Sequence, residues 1–142
     1  MIRPMVKDDW SLWQLLWAGY LKFYRSTVSD TTTRLTFDRL CARVDGMFGF
    51  VATSEGHLTG LAHALVHPST WSESSYCYLE DLFVAPAARG TGVARALIEA
   101  VSDEAKARGA SRVYWHTQEF NGPARSLYDQ VARQTSFVVY ER

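Results

Sequence analysis

Apolar residues along the chain follow two different periods, and the points where the period changes divide it into elements. Trp10, Trp13, Trp17, Tyr20 and Tyr24 recur at alternating steps of three and four, which draws one aromatic stripe down a helix. Asp8 and Asp9 stand before it as N-cap and first-turn charge. Upstream, Ile2 to Val6 is a short apolar segment interrupted by Pro4, and a residue that cannot donate to a ladder suits an edge strand. A polar loop over 26–33 precedes Thr36-Phe37-Asp38-Arg39-Leu40, which predicts a second short helix ending around Asp45-Gly46. Met47 to Thr53 and Leu58 to His67 predict two strands, joined by the hairpin signal Ser54-Glu55-Gly56-His57.

The second half repeats the alternation of types. Pro68 to Ser75 reads as a polar surface loop with Trp71 placed to fold back over a cleft, followed by an apolar run from Tyr78 to Val84. From Thr91 to Arg108 the positions Ala94, Leu97, Ile98, Val101 and Ala105 mark the buried face of a helix that Gly109 ends. Arg112 to Thr117 is β-rich, Pro123 is placed to be the first residue of another helix, and Thr135 to Tyr140 closes as an apolar strand. Pattern alone therefore gives a mixed α and β domain built on a central sheet.

Composition narrows the class. At 142 residues, 47% of them hydrophobic, the chain reads as one domain over 1–142 that buries a substantial core, which excludes disorder. Fifteen basic residues cancel fifteen acidic ones, and no basic stripe marks a nucleic-acid partner. The N-terminal stretch lacks an apolar core of signal-peptide length and no run approaches a membrane span, so the expectation is a cytoplasmic protein without a membrane partner. Cys41 and Cys77 lie outside any metal-ligand spacing and read as buried thiols. His63 and His67 share one strand face by the two-residue period, with no further ligands that the sequence places beside them, so no metal is expected.

The chemistry concentrates in Tyr78 to Leu97, where a strand with Glu80 and Asp81 at its centre meets Ala85-Pro86, then Arg89-Gly90-Thr91-Gly92, then a helix N-terminus. The first N–H groups of a helix have no internal partner and carry partial positive charge, so such a junction suits a phosphate or pyrophosphate. Gly90 and Gly92 permit positive φ and close approach, and Arg89 adds a forked cation. A Walker loop is excluded because Val93-Ala94 follows Gly92, and a dinucleotide fingerprint because Arg95 holds the position of its third glycine. Arg-x-x-Gly-x-Ala, Arg89 to Ala94, after Leu82-Phe83-Val84-Ala85-Pro86 resembles the coenzyme A loop of the GCN5-related N-acetyltransferases. The central strand and the segment from Val113 to Ala132 are similar to those of the histone-type and polyamine-type subgroup.

That resemblance implies an α/β (α+β) fold with a central mixed, twisted sheet of about six to seven strands and about four flanking helices, in the order β-α-α-β-β-β-α-β-α-β. It implies transfer of an acetyl group from acetyl-CoA to a primary amine by direct attack: a small cationic amine or polyamine, an amino acid, or a lysine side chain. Tyr128, in Asn-x-x-Ala-x-x-Leu-Tyr from Asn121, matches the family's general acid. Glu80 matches the carboxylate that takes the amine's proton directly or through water; attraction of a cationic acceptor and a purely structural role are the other readings open to it. Cofactor contacts are expected from Leu82, Phe83 and Val84 through the backbone, from Arg89, Gly90, Thr91, Gly92, Val93 and Ala94, and from Asn121. Asp81 and Tyr24 are expected on the acceptor side. Strand alternation puts Glu80 and Asp81 on opposite faces unless a bulge intervenes. A homodimer through the last strand is compatible with the resemblance, and a non-catalytic acetyl-CoA sensor is the alternative function.

Overall fold

The computed structural model describes residues 1–142, and its five strands lie in one sheet in chain order. β1 (Ile2–Pro4), β2 (Met47–Ser54), β3 (His57–Ser69) and β4 (Ser72–Val84) pair antiparallel in succession. β5 (Ala110–Tyr114) joins β4 in parallel, a step that needs a crossover, and α3 (Val93–Ala107) provides it. α1 (Trp10–Phe23) and α2 (Asp30–Ala42) cover one face; α3 and α4 (Gly122–Val131) lie on the other.

Two cores result, and the two-residue period sorts side chains between them. Val51, Leu61 and Phe83 pack with Trp13, Leu16 and Phe37 beneath α1 and α2. Ala52, Ala62, Cys77 and Leu79 pack with Leu97, Ile98 and Val101 of α3. Ala94, expected in that face, is only half-buried at its upper end. The approach of α3 depends on Gly60, since a Cβ there would lie 3.0 Å from both Leu97 Cδ1 and Val93 Cγ1. Glycine at that point lets the first turn of α3 settle against β3, which fixes where the helix N-terminus points.

Several boundaries differ from the sequence expectation for physical reasons. Asp9 does not cap α1 through its side chain; its carboxylate accepts the Val6 N–H at 2.9 Å and both terminal nitrogens of Arg3 at 2.8 and 2.7 Å, tying β1 to the start of α1. The Arg3 guanidinium accordingly holds the Asp9 carboxyl below its ordinary value. α2 begins at Asp30, inside the predicted loop, because the Ser29 hydroxyl accepts the Thr32 N–H at 3.1 Å and Asp30 adds first-turn charge. α4 begins one residue early, with Gly122 ahead of Pro123. β3 and β4 run through the predicted loop and turn only at Thr70-Trp71, which leaves Trp71 86% exposed at the hairpin tip rather than folded over the cleft. β5 ends at Tyr114, three residues short of Thr117.

The largest correction concerns the closing strand. Thr135 to Tyr140 forms no strand, and Phe137, Val138, Val139 and Tyr140 are exposed. A strand exists only by pairing, and the sheet stops at β5, so it has five strands rather than six or seven.

Candidate active site

The site originates in an irregularity of β4. His63 pairs with Asp81 while its neighbour Ala64 pairs with Leu79, so Glu80 is an extra residue, a β-bulge. The bulge resets the alternation. Tyr78, Asp81 and Phe83 all stand opposite Leu65, His63 and Leu61, on the face covered by α1, and Glu80 is left outside the ladder and exposed to solvent. The bulge therefore frees both carboxylates from the opposite-face arrangement that plain alternation imposes.

On its other side β4 loses its neighbour. Pairing with β5 ends at Tyr78 opposite Tyr114, and Trp115 to Gln118 diverge from the sheet, leaving the β4 edge from Leu79 to Val84 open on that side. A cavity of about 270 Å³ occupies the split. Tyr20 lines it from α1, Tyr24 from the residue that ends that helix, Glu80 and Leu82 from β4, Trp115 and His116 from the diverging segment, and Tyr128 from α4.

The titratable groups are tuned by this enclosure. Burial pushes the Tyr128 phenol up to about 12, with Tyr24 adding to the shift, and its ring meets Trp115 edge-on at 5.4 Å. Glu80 keeps solvent contact, yet burial of its carboxyl and the charge of Asp81 raise its pKa above the ordinary value. Tyr24 is raised by burial and by Asp81. Asp81 faces away from the cavity lining: one carboxylate oxygen accepts from Tyr20 at 2.8 Å and the other lies 3.0 Å from His63 Nδ1.

At the end of β4, a 3-10 turn over Pro86–Ala88 leads to the glycine loop. Gly90 and Gly92 have φ of 77° and 85°, and a Cβ at either would meet nothing within 4 Å, so their backbone conformation rather than crowding calls for glycine. Gly92 precedes α3 with no side-chain cap, and the helix's first turn holds no acidic residue. The first N–H groups therefore have neither a side-chain cap nor an acidic residue to offset the positive dipole, a donor set suited to a pyrophosphate. Arg89 is anchored beside it: Nε donates to the Val84 carbonyl at 3.1 Å, and the guanidinium lies 5.5 and 5.6 Å from the Phe23 and Phe83 rings. Thr91 bonds back to the Ala88 carbonyl.

Of the residues expected from sequence, Glu80, Tyr128, Tyr24 and Leu82 meet in the cavity, with Asp81 one layer behind. Phe83 sends its ring into the α1 core, so only its backbone remains for a cofactor. Asn121 stands immediately before α4 without capping it through its side chain. Sequence reasoning missed Tyr20, Tyr78, Trp115 and His116 as lining residues. The signal for Tyr20 was its place in the aromatic stripe; for the others it was the early end of β5, which no residue pattern announced.

Residues 10–132 match the model of the acetyltransferase (GNAT) family. The chain is 33% identical over 144 positions to the D-amino-acid N-acetyltransferase HPA3 of Saccharomyces cerevisiae, spanning 100% of this chain and 89% of that protein. It is 30% identical to the thialysine N-epsilon-acetyltransferase of Caenorhabditis elegans over 75% of this chain and 64% of that protein. Its fold matches AAC(6')-Iy in complex with the bisubstrate analogue CoA-S-monomethyl-acetylneamine at a TM-score of 0.87 and 23% identity, covering 100% and 96% of the two chains. The chain belongs to the GNAT acetyltransferase family. It is an N-acetyltransferase.

Proposed function

We propose that residues 1–142 act as one acetyltransferase domain that moves the acetyl group of acetyl-CoA onto a primary amine by direct attack in a ternary complex. The observation that carries this reading is the cavity in the β4–β5 split, with Glu80 and Tyr128 on its wall and the uncapped α3 N-terminus beyond the end of the same strand. The loop from Arg89 to Ala94 holds the pyrophosphate, and the open backbone edge from Leu82 to Val84 orients the pantetheine arm and polarises the carbonyl. Asn121 adds a polar contact at the mouth. Glu80 accepts a proton from the acceptor nitrogen, directly or through water, as the N–C bond forms. Tyr128 gives its proton to the departing sulfur as the C–S bond breaks.

A cationic acceptor fits the acidic pair Glu80 and Asp81 with the ring of Tyr24 beside them. The named activities of the two relatives, on a D-amino acid and on a lysine analogue, support a small amine of this kind. The exposed apolar stretch from Phe137 to Tyr140 supports a homodimer. Tyr128→Phe is the direct test. Release of free thiol from acetyl-CoA with a panel of polyamines, amino acids and lysine peptides should fall by about 100-fold or more in kcat, with the KM for acetyl-CoA little changed. Unchanged turnover removes Tyr128 as the acid.

A further inference from the structure

Behind the cavity runs a chain of hydrogen bonds, buried at Trp13 and His63 and part-buried at Asp81 and Tyr20, that the proposed reaction does not use. Trp13 Nε1 donates to His63 Nε2 at 3.1 Å, His63 Nδ1 lies 3.0 Å from one Asp81 oxygen, and the Tyr20 hydroxyl donates to the other at 2.8 Å. Trp13 is fully buried and the His63 side chain is 4% exposed. One member of the chain sets every proton in it. An indole N–H only donates, so His63 Nε2 accepts and the ring hydrogen stands on Nδ1, aimed at Asp81. Asp81 is then an acceptor at both oxygens, and the proton of Tyr20 is committed to it in a charge-assisted bond.

Tyr20 itself lines the cavity, beside Glu80. With its proton turned back toward Asp81, its hydroxyl offers the cavity only oxygen lone pairs. Filling the same space with apolar side chains is often equally stable or more so, so stability does not account for a buried polar chain. What the chain adds is a fixed direction for one hydroxyl.

We propose that Tyr20 is a specificity-determining residue of the acceptor site, and that Trp13, His63 and Asp81 are positioning residues that hold its hydroxyl as an acceptor toward the substrate nitrogen. The site then selects primary amines, which bring two N–H groups in their neutral, attacking form, over secondary amines, which bring one. One N–H is taken by the Tyr20 oxygen and the other by Glu80. This rests on the acetyltransferase site proposed above.

Tyr20→Phe keeps the ring and removes the acceptor. It should raise the KM for a primary amine about tenfold, leave the KM for acetyl-CoA unchanged, and narrow the preference for that amine over its N-methyl derivative. Asp81→Asn is the sharper variant. Its amide oxygen still accepts from His63, but its NH₂ now donates to Tyr20, so the tyrosine proton swings into the cavity and opposes an amine donor. Asp81→Asn should therefore raise the amine KM more than Tyr20→Phe does, and most of that rise should vanish when Asp81→Asn is made in the Tyr20→Phe background. His63→Met should raise the amine KM in the parent and leave it unchanged in the Tyr20→Phe background, with thermal melts of each variant to confirm folding. Additive effects of Asp81→Asn and Tyr20→Phe would mean that Asp81 acts by charge alone and would overturn the proposal. An unaltered amine preference in Tyr20→Phe would overturn it equally, and in both cases turnover by the parent enzyme leaves the site assignment standing. A parent that transfers acetyl to no amine on the panel removes the site assignment and this proposal together.

Discussion

Glu80 stands where catalysis and stability pull in opposite directions. As the proposed base it must be ionised, and burial of its carboxyl together with Asp81 raises its pKa above the ordinary value. The acid limb of the kcat/KM profile should therefore lie above the usual carboxylate range, and Glu80→Gln should abolish that limb while lowering kcat about 100-fold or more. A rise in amine KM with kcat preserved would instead assign Glu80 to charge attraction. Tyr128, pushed up to about 12, stays protonated through neutrality and should contribute no alkaline limb in the working range. The linkage sign follows from the same shift. A carboxyl with a raised folded pKa lends stability below its unfolded value and loses it as pH rises through the folded one. Glu80→Gln should thus raise Tm at pH 7 and not at acid pH, by a small amount because solvent reaches the group. The meeting of Glu80 and Tyr128 in one cavity was implied by the family resemblance. The handover of Asp81 to His63 and Tyr20 was not, because it depends on one extra residue in β4 that shifts the alternation beneath an unbroken apolar run.

At the level of elements, the bulge, the early end of β5 and the glycine-led start of α3 cooperate to place one strand edge, one cavity and one helix terminus in sequence along β4. The glycines allow the proposed anion-binding role to be separated from backbone strain. Gly92 and Gly56 have nearly the same φ, 85° and 78°, and a Cβ at either meets nothing within 4 Å. Replacing either by alanine should cost about 1–2 kcal/mol in urea unfolding, since both force an L-residue into the left-handed region. Only Gly92→Ala should also weaken acetyl-CoA, by about tenfold in calorimetric titration, because only there does the new methyl occupy ground that a phosphate approaches. Equal affinities in the two variants would remove the α3 terminus from the cofactor site. The α3 pattern was readable because its period is long and its stop is a glycine. The start of α2 was not, because Thr31, Thr32 and Thr33 are weak helix formers and the cap at Ser29 had to outweigh them.

For the whole molecule, the sheet is asymmetric in how it ends. β1 is a three-residue edge carrying Pro4, which discourages further pairing, whereas the outer edge of β5 carries no such guard. Beyond α4, Phe137 to Tyr140 are four consecutive apolar residues, each between 68% and 92% exposed, with the composition of a strand and no strand to pair with. The reading of Thr135 to Tyr140 as an apolar strand was sound about its propensity and wrong about its state, because pairing is a property of the partner as well as of the residues. In the proposed homodimer a second copy would provide one by symmetry. Sedimentation at micromolar concentration should accordingly show a dimer, and Val138→Lys with Tyr140→Lys should convert it to a monomer that keeps its α1–β4 core and hence its melting cooperativity. If the parent chain sediments as a monomer at every concentration, residues 135–140 are a free arm and the dimer is excluded. If the lysine variant is monomeric yet fully active, each protomer carries a complete site; if activity is lost with the dimer, the partner contributes to it.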